Sequence, residues 1–240
     1  QDSLHEDFGP FLDGFVYAEP DNFNDVKRLA EETNPCAIMM ELVQGEGGVH
    51  ALDKEFVKKT AAYAKEHDIL LIIDEVQTGN GRTGALYCYM NYGIEPDIVT
   101  TAKAIGGGLP LAATLFADSC QHTLTSHSHG STFGGNPICA AGAISIIDRL
   151  DDDLMEEVKK KGQYIKEELE SCKNVEAVSG MGLMIGVTLK KDLSQVVDAC
   201  IDAGVLVLTA NGLLRLLPPL NIPWDVLQKG IEKVKNVIDG

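Results

Sequence analysis

The sequence predicts an α/β fold with a mostly parallel β-sheet flanked by helices, followed by a smaller C-terminal α/β domain. Residues 69–73, ILLII, form an apolar run too short for a globular helix, which is typical of a strand buried on both faces of a parallel sheet. Residues 53–67 form an amphipathic helix pattern that ends just before this run, as the crossover helix of a βαβ unit does. Residues 97–101, DIVTT, predict a second strand.

Length and composition are those of a globular protein. A chain of 240 residues can bury a sizeable core, as one large domain or as one and a half smaller ones. The net charge of −16 argues against a nucleic-acid surface, which needs a basic patch. No apolar run is long enough to span a bilayer. We therefore predict neither a nucleic-acid partner nor a membrane partner.

The cysteines do not indicate a metal site or a disulfide framework. They lie far apart and include no Cys-x-x-Cys pair. Such residues are typical of small buried side chains in a reducing compartment, so we expect a cytoplasmic protein. The six are Cys36, Cys88, Cys120, Cys139, Cys172 and Cys200. The chain begins at Gln1 without an initiator Met, and we expect it to be part of a longer protein.

The first part of the chain is predicted to alternate between loops, helices and strands. Glycine and proline punctuate residues 1–21, which predicts a loop, and a short helix is predicted over 23–32. Residues 37–43 predict a buried strand that carries Glu41 near its end and runs into the glycine-rich residues 44–48. Glu41 is either a solvated residue at the end of the strand or a group near a site, and the sequence leaves both possibilities open.

The second part is predicted to contain a connector helix and a small domain. A further strand is predicted at 111–117, and a helix from Pro137 to about residue 150. The elements predicted after it are a charged helix at 151–172, a strand pair at 178–189, a helix at 193–203, strands at 205–208 and 214–216, and a terminal helix at 224–238. We therefore divide the chain into residues 1–150 and 151–240.

Charged residues follow the ends of the two central strands. Asp74 and Glu75 come directly after residues 69–73, and Lys103 follows residues 97–101. Ligands of open α/β sheets bind beyond the carboxyl ends of the strands, so we expect the acid and the amine to share one site. Pyridoxal phosphate needs this pair, because an amine bonds to its aldehyde and a carboxylate keeps its pyridine nitrogen protonated. Lysine suits the first role because its amine loses a proton readily when buried.

A second glycine-rich segment, GSTFGGNP at residues 130–137, precedes a predicted helix. Its small hydroxyl residues and flexible glycines can donate hydrogen bonds to phosphate oxygens. Pro137 suits the first turn of the helix that follows. From the residues alone, the segment is either a phosphate-binding loop or a helix-capping loop.

Two other patterns do not predict a function. Residues 79–84 match the G-x-G-x-x-G pattern, but in a dinucleotide site the glycines follow the strand at once and open a helix. The expected acidic residue should end the next strand, whereas Asp97 begins one. The spacing of His122, His127 and His129 fits no zinc signature, and we predict no metal site.

Three motifs in order resemble the class III, fold-type I aminotransferases. They are DEVQTGNGRTG at 74–84, PDIVTTAKAIGGGLP at 96–110 and HGSTFGGNP at 129–137. Residues 41–48 resemble the family's E-P-x-Q-G-E-x-G with a leucine in place of the proline, and residues 215–220 resemble its R-x-x-P-P-L. The resemblance covers nearly the whole chain and weakens after about residue 150. Family members carry a substantial N-terminal portion that is absent here.

The resemblance implies a cofactor site for pyridoxal phosphate. Lys103 would hold the cofactor and then act as general base, moving a proton between substrate and cofactor carbons. Asp74 would stabilise the protonated ring nitrogen, Val76 would pack on a ring face, and Gln77 would bond the phenolic oxygen. Glu75 belongs to the same segment, and it would contact the cofactor through its backbone or through another residue.

The resemblance also implies a substrate site and a homodimer. Thr132 would hold the cofactor phosphate by reaching across from the partner subunit, and Ser131 would lie near the substrate. Arg215 would bind the substrate α-carboxylate, with Glu46 as its partner when none is bound. The alternative for Arg215 is a surface salt bridge, but an arginine flanked by leucines on a strand favours the substrate role.

The activity implied is transfer of the terminal amino group of N2-acetylornithine to 2-oxoglutarate, in arginine biosynthesis. Ornithine and 4-aminobutyrate are alternative donors, because selectivity depends partly on the absent N-terminal portion. A different alternative is a non-catalytic, truncated fragment. We expect the 240-residue segment alone to bind cofactor poorly and to have little or no activity, with an exposed sheet edge and apolar surface.

Overall fold

The computed structural model describes residues 5–240, and helices and strands are interspersed along the chain. The helices are α1 (Phe23–Thr33), α2 (Lys54–Glu66), α3 (Cys88–Tyr92), α4 (Pro137–Ile147), α5 (Asp152–Glu170), α6 (Leu193–Asp202) and α7 (Trp224–Asp239). The strands are β1 (Ala37–Met40), β2 (Val43–Gln44), β3 (His50–Ala51), β4 (Leu70–Asp74), β5 (Ile98–Thr101), β6 (Ala113–Phe116), β7 (Val175–Met181), β8 (Met184–Leu189), β9 (Leu208–Ala210) and β10 (Leu213–Leu216). A 3₁₀ helix covers Lys103–Gly106.

The larger sheet has the strand order β1-β4-β5-β6. The first three strands are parallel, and β6 runs antiparallel to β5. Helix α2 connects β1 and β4 and packs against β4, and the Asp53 side chain caps its first turn by accepting the Phe56 N–H at 2.8 Å. The predicted α/β class, with a parallel-dominated sheet flanked by helices, is confirmed.

The two faces of this sheet are covered unequally. Leu71 and Ile73 of β4 are buried in one hydrophobic cluster with Val57 of α2. On the opposite face, Met39 is 58% exposed and Leu70 is 36% exposed. The prediction that β4 is buried on both faces is therefore wrong for the described residues, because α1 and α2 both belong to the core on one side.

Two predicted strands differ from those observed. Residues 37–43 form β1 and β2 instead of one strand, because the Leu42 carbonyl accepts the Leu52 N–H at 3.0 Å and lies 3.1 Å from the Tyr92 hydroxyl. These bonds draw the chain out of the sheet. The strand predicted at 205–208 begins only at Leu208, because the Val205 N–H is used by the C-terminal turn of α6, where it bonds the Cys200 carbonyl at 2.8 Å.

The second sheet is antiparallel, with the strand order β7-β8-β10-β9. Helices α5, α6 and α7 pack around it. The helices and the sheet share one hydrophobic cluster, whose fully buried members all lie between Val158 and Ile238 in the sequence. We retain a division near residue 150 as a proposal that this separate cluster supports.

Arg82 joins the two sheets. Its guanidinium donates from NH1 to the carbonyls of Leu183 at 3.1 Å and Pro218 at 2.6 Å, and its own carbonyl accepts the Leu183 N–H at 3.0 Å. Burial lowers the pKa of Arg82 to about 10, so the group remains protonated at neutral pH. The segment that carries β10 is thereby fixed relative to the larger sheet.

No helix between residues 5 and 240 combines the length and the hydrophobicity needed to cross a membrane. In the same range, no three His, Cys, Asp or Glu side chains gather as metal ligands.

Candidate active site

Asp74 and Lys103 lie at the same edge of the larger sheet. Asp74 is the last residue of β4, and its register partner is Thr100 in the neighbouring parallel strand β5. Lys103 lies two residues after the end of β5 and begins the 3₁₀ helix. Because the carboxyl ends of adjacent parallel strands meet at one edge, the two strands deliver an acid and an amine to one place.

The backbone of Lys103 adopts a left-handed conformation, with φ of 49°. A side chain disfavours this region by about 1–2 kcal/mol, and such strain concentrates at functional positions. The turn is closed by the Ile105 N–H, which donates to the Ala102 carbonyl at 3.2 Å. Gly107 ends it, also in the left-handed region. The Lys103 side chain is exposed and projects from a defined turn.

Asp74 is half-buried, and its carboxylate is held in place by local structure. Its Oδ1 accepts the Val76 N–H at 2.8 Å, which fixes the orientation of the side chain. Val76 and Gln77 are also half-buried and follow in the same turn. A carboxylate oriented by its own backbone is suited to pair with a protonated ring nitrogen.

Glu75 points away from this edge and is fully buried. Its carboxylate accepts the Tyr89 N–H at 2.9 Å and the Thr78 hydroxyl. Burial raises the pKa of Glu75, and the nearby Asp74 raises it further. The carboxyl group therefore stabilises the loop that leads to α3, so any contribution of Glu75 to a cofactor site passes through its backbone or through neighbouring residues.

Glu41 lies near both members of the acid and amine pair. It is half-buried, and its Oε2 accepts the Gly45 N–H at 3.1 Å. Burial raises the pKa of Glu41; Asp74 raises it further, whereas Lys103 lowers it. Of the two possibilities that the sequence left open, the partial burial of Glu41 and the influence of Asp74 and Lys103 on its pKa favour a position near the site.

Glu46 connects Gln77 to Arg215. Its Oε1 accepts hydrogen bonds from Arg215 NH1 at 2.8 Å and from Gln77 Nε2 at 3.2 Å. The hydrogen bond from Arg215 is the main reason that the pKa of Glu46 is lowered. Arg215 is buried on β10, and its Nε has no hydrogen-bond partner among the described residues. The predicted carboxylate-binding arginine thus reaches the segment predicted to bind the cofactor.

Ser131 and Thr132 stand apart from these groups. Both are exposed in the turn that precedes α4, where the Ser131 carbonyl accepts the Gly134 N–H at 3.2 Å. No hydrogen bond within residues 5–240 joins either hydroxyl to Asp74 or Lys103. Their predicted roles, in which Thr132 serves the site of a partner subunit, stay predictions.

Sequence reasoning missed two residues beside the site, Asn80 and Thr101. Asn80 is 3% exposed, and its Nδ2 donates to Thr101 Oγ1 at 3.0 Å and to the Ala102 carbonyl at 3.4 Å. The available signal was an amide side chain set between two glycines, which indicates a loop with a specific hydrogen-bonding task.

A model of the class III aminotransferase family matches residues 1–238 of the chain. The chain belongs to the class III aminotransferases. Family members depend on pyridoxal phosphate, which confirms the predicted cofactor class. The residues of this structure fit that cofactor: an oriented carboxylate and an exposed lysine share one sheet edge, and the Gln77 amide lies beside them.

The curated relatives of this class III aminotransferase include several acetylornithine aminotransferases. One from Haemophilus ducreyi is 42% identical over 240 residues, covering 99% of the chain and 61% of that protein. Another, from Bacillus subtilis, is 37% identical over 243 residues, covering 99% of the chain and 63% of that protein. The chain therefore spans roughly three-fifths of the length of these relatives.

Solved aminotransferase structures share the fold. The ornithine aminotransferase from Toxoplasma gondii superimposes with a TM-score of 0.94 at 27% identity, covering 99% of this chain and 59% of that one. The N-acetylornithine aminotransferase from Stenotrophomonas maltophilia gives a TM-score of 0.85 at 31% identity, covering 95% and 63%. Both agree with the arrangement of strands that brings Asp74 and Lys103 to one edge.

Proposed function

We propose that this chain carries the cofactor-binding and carboxylate-binding residues of an enzyme that transfers the terminal amino group of N2-acetylornithine to 2-oxoglutarate. The observation that carries the proposal is the delivery of Asp74 and Lys103 to one sheet edge by adjacent parallel strands. The acetylornithine aminotransferases among the relatives support the choice of donor. That reaction belongs to arginine biosynthesis, and six unpaired cysteines fit a reducing cytoplasm.

Bound pyridoxal phosphate would supply an electron sink for the carbon that loses its proton. Lys103 would hold the cofactor through its amine, then act as general base and move a proton from the substrate carbon to the cofactor carbon. Asp74 would stabilise the protonated pyridine nitrogen. The Gln77 amide would donate to the phenolic oxygen, while Val76 would pack against one ring face.

Arg215 would orient the substrate by binding its α-carboxylate. Because Glu46 already accepts from the same guanidinium, an incoming carboxylate must compete with it for NH1. A carboxylate that forks onto NH1 and NH2 competes directly with Glu46, whereas Nε lies on the other edge of the guanidinium and is buried without a described partner. Glu46 would therefore decide how readily Arg215 accepts a carboxylate.

Ornithine is a second candidate donor, and the fold match to the Toxoplasma gondii ornithine aminotransferase favours it. 4-Aminobutyrate is a further alternative from the sequence. Turnover of the three amines should be compared with a protein that includes this chain and the remaining length found in the relatives. Preference for ornithine or 4-aminobutyrate would contradict the proposed donor.

A homodimer with shared sites is part of the proposal. The exposed turn with Ser131 and Thr132 supports it, since neither hydroxyl reaches the site of its own chain. Mixing a Thr132→Ala protein with a Lys103→Ala protein tests sharing. Each mixed dimer carries one substitution in each subunit, so that if sites are shared one site lacks both residues and the other is intact. Mixed dimers should therefore recover activity, whereas each parent alone should be inactive.

Cofactor capture by the chain itself tests the central claim. Pyridoxal phosphate is added, the visible absorbance is recorded, and borohydride reduction followed by peptide mass spectrometry identifies the modified lysine. We expect weak capture at Lys103, lost in Lys103→Ala and retained in Lys58→Ala, a matched exposed lysine on α2. Modification spread evenly over exposed lysines would contradict the proposed role of Lys103. Strong capture and rapid turnover by the 240-residue chain would instead contradict its expected weak activity.

A further inference from the structure

The glycine-rich loop at residues 79–84, which matches a dinucleotide pattern without forming such a site, passes directly behind Lys103. Asn80 is the residue through which they are joined. It is buried and has a left-handed backbone with φ of 55°, a conformation that asparagine tolerates better than most residues. Its side chain crosses to the other strand, where it donates to the Thr101 hydroxyl and to the Ala102 carbonyl.

The Ala102 carbonyl is a critical acceptor for the lysine turn. It receives the Ile105 N–H at 3.2 Å, which closes the turn around Lys103, and the Asn80 amide at 3.4 Å. Lys103 itself has a disfavoured backbone conformation, which persists only when surrounding groups hold it. Asn80 is such a group, because it bonds the residue before Lys103 from a different loop.

The orientation of the Asn80 amide is defined by its partners. If Oδ1 and Nδ2 exchanged places, two acceptor oxygens would face each other at the Ala102 carbonyl with no proton between them. The Thr101 hydroxyl that accepts from Nδ2 is itself buried, so the amide and the hydroxyl form a buried hydrogen bond. A buried hydrogen bond of this kind restrains the backbone that it contacts.

We propose that Asn80 is a positioning residue for Lys103. Its side-chain amide fixes the Ala102 carbonyl and so holds the strained turn that presents the lysine amine. This inference rests on the proposed function of Lys103 as the residue that captures pyridoxal phosphate. It assigns a task to the glycine-rich loop.

Asn91 provides a matched control. Its Nδ2 donates to the carbonyl and the hydroxyl of Thr83 at 3.3 and 3.2 Å, so it makes the same kind of bonds to the far end of the same loop. It has no bond to the turn of Lys103. The test compares Asn80→Asp, which keeps the shape and removes the donors, with Asn80→Gly and Asn91→Asp. Asn80→Gly adds no buried charge and suits the positive φ.

Hydrogen–deuterium exchange of the peptide covering residues 102–108 is measured in the 240-residue chain without cofactor. We expect exchange at Ile105 about tenfold faster in both Asn80 variants and unchanged in Asn91→Asp. Unchanged exchange in Asn80→Gly, or equal acceleration in Asn91→Asp, would overturn the inference. This readout requires neither cofactor nor activity.

Capture of pyridoxal phosphate at Lys103, trapped by borohydride and quantified by mass spectrometry, is the second readout. We expect it to be about tenfold slower in both Asn80 variants, an effect that a merely structural loop residue such as Asn91 does not produce. Unchanged capture beside faster exchange would also overturn the inference. If the unsubstituted chain captures no cofactor at Lys103, the proposed function of this chain fails, while the exchange experiment still decides whether Asn80 holds the turn.

Discussion

Glu46 and Arg215 are 169 positions apart in sequence, and Glu46 Oε1 lies 2.8 Å from Arg215 NH1. Glu46 belongs to the loop after β2, whereas Arg215 belongs to β10 of the second sheet. The Glu46 carboxylate also accepts from Gln77, which follows β4. One exposed carboxylate therefore connects the residue predicted to bind substrate with the residue predicted to contact the cofactor.

Replacing Glu46 with glutamine should increase the affinity for 2-oxoglutarate. The neutral amide competes less well for the Arg215 guanidinium than the carboxylate does. Because the Glu46 side chain is 54% exposed, the gain should be limited to about 1 kcal/mol, or roughly fivefold in affinity. Titration calorimetry would measure it. Arg215→Lys, which loses the fork geometry, should weaken binding, and weaker binding in Glu46→Gln would contradict competition at Arg215.

Glu75 should make the stability of the chain decrease as the pH rises. Burial raises its pKa above the ordinary value of 4.5, so the folded state retains a proton that the unfolded state has released. The stabilisation is complete below 4.5 and is lost as the pH rises through the folded pKa.

The Glu75→Gln variant has no such titration and isolates this effect. Urea unfolding of both proteins should be measured at several pH values above 4.5. The free energy of unfolding of the unsubstituted chain, minus that of the variant, should fall as the pH rises. A difference that stays constant would show that Glu75 titrates normally, since all other groups are common to both proteins.

Much of the larger sheet and of its edge followed from local sequence. A short apolar run, an amphipathic helix and a second run are enough to predict parallel strands, and parallel strands with charged residues after them predict a shared edge. Asp74 and Lys103 were predictable for that reason. The end of β1 was not predictable, because the chain leaves the sheet where the Leu42 carbonyl accepts a hydrogen bond from the Tyr92 hydroxyl, 50 positions away.

Contacts between distant segments account for the rest of the candidate site. Nothing in the residues around Glu41 distinguishes a solvated strand end from a position beside Asp74 and Lys103. The bond from Asn80 to the Ala102 carbonyl requires knowledge of how a loop folds back on the neighbouring strand. The family resemblance supplied Glu46 and Arg215 as a pair, but the shared hydrogen bond to Gln77 appears only in three dimensions.

The cysteines should differ sharply in reactivity. Cys36 is exposed, whereas the other five are buried. Burial raises the pKa of Cys88 to about 12, so almost none of it is thiolate near neutral pH. Timed maleimide labelling with peptide mass spectrometry should show fast modification of Cys36 alone in the folded chain and of all six in urea. A Cys36→Ser variant should lose the fast phase, and labelling of Cys88 at a comparable rate would contradict its burial.

Two helical glycines should respond to alanine in opposite directions. A Cβ on Gly162 in α5 would lie 2.2 Å from the Gly182 carbonyl oxygen, in the turn between β7 and β8. Gly182 in turn packs against Arg82 and Thr83, with an added Cβ only 2.7 Å from the Arg82 oxygen. Neither the helix nor the turn can therefore move away easily. A Cβ on Gly230 in α7 would meet nothing within 4 Å.

Gly162→Ala should lower the free energy of unfolding by about 3 kcal/mol, as overpacking against backbone does. Gly230→Ala should raise it by about 1 kcal/mol, because alanine is the better helix former and no neighbour must shift. Urea unfolding of the two variants beside the unsubstituted chain measures both changes. Stabilisation by alanine at Gly162 would show that α5 does not pack tightly against the turn that contains Gly182. It would then contradict the view that this contact helps to hold Arg82 between the two sheets.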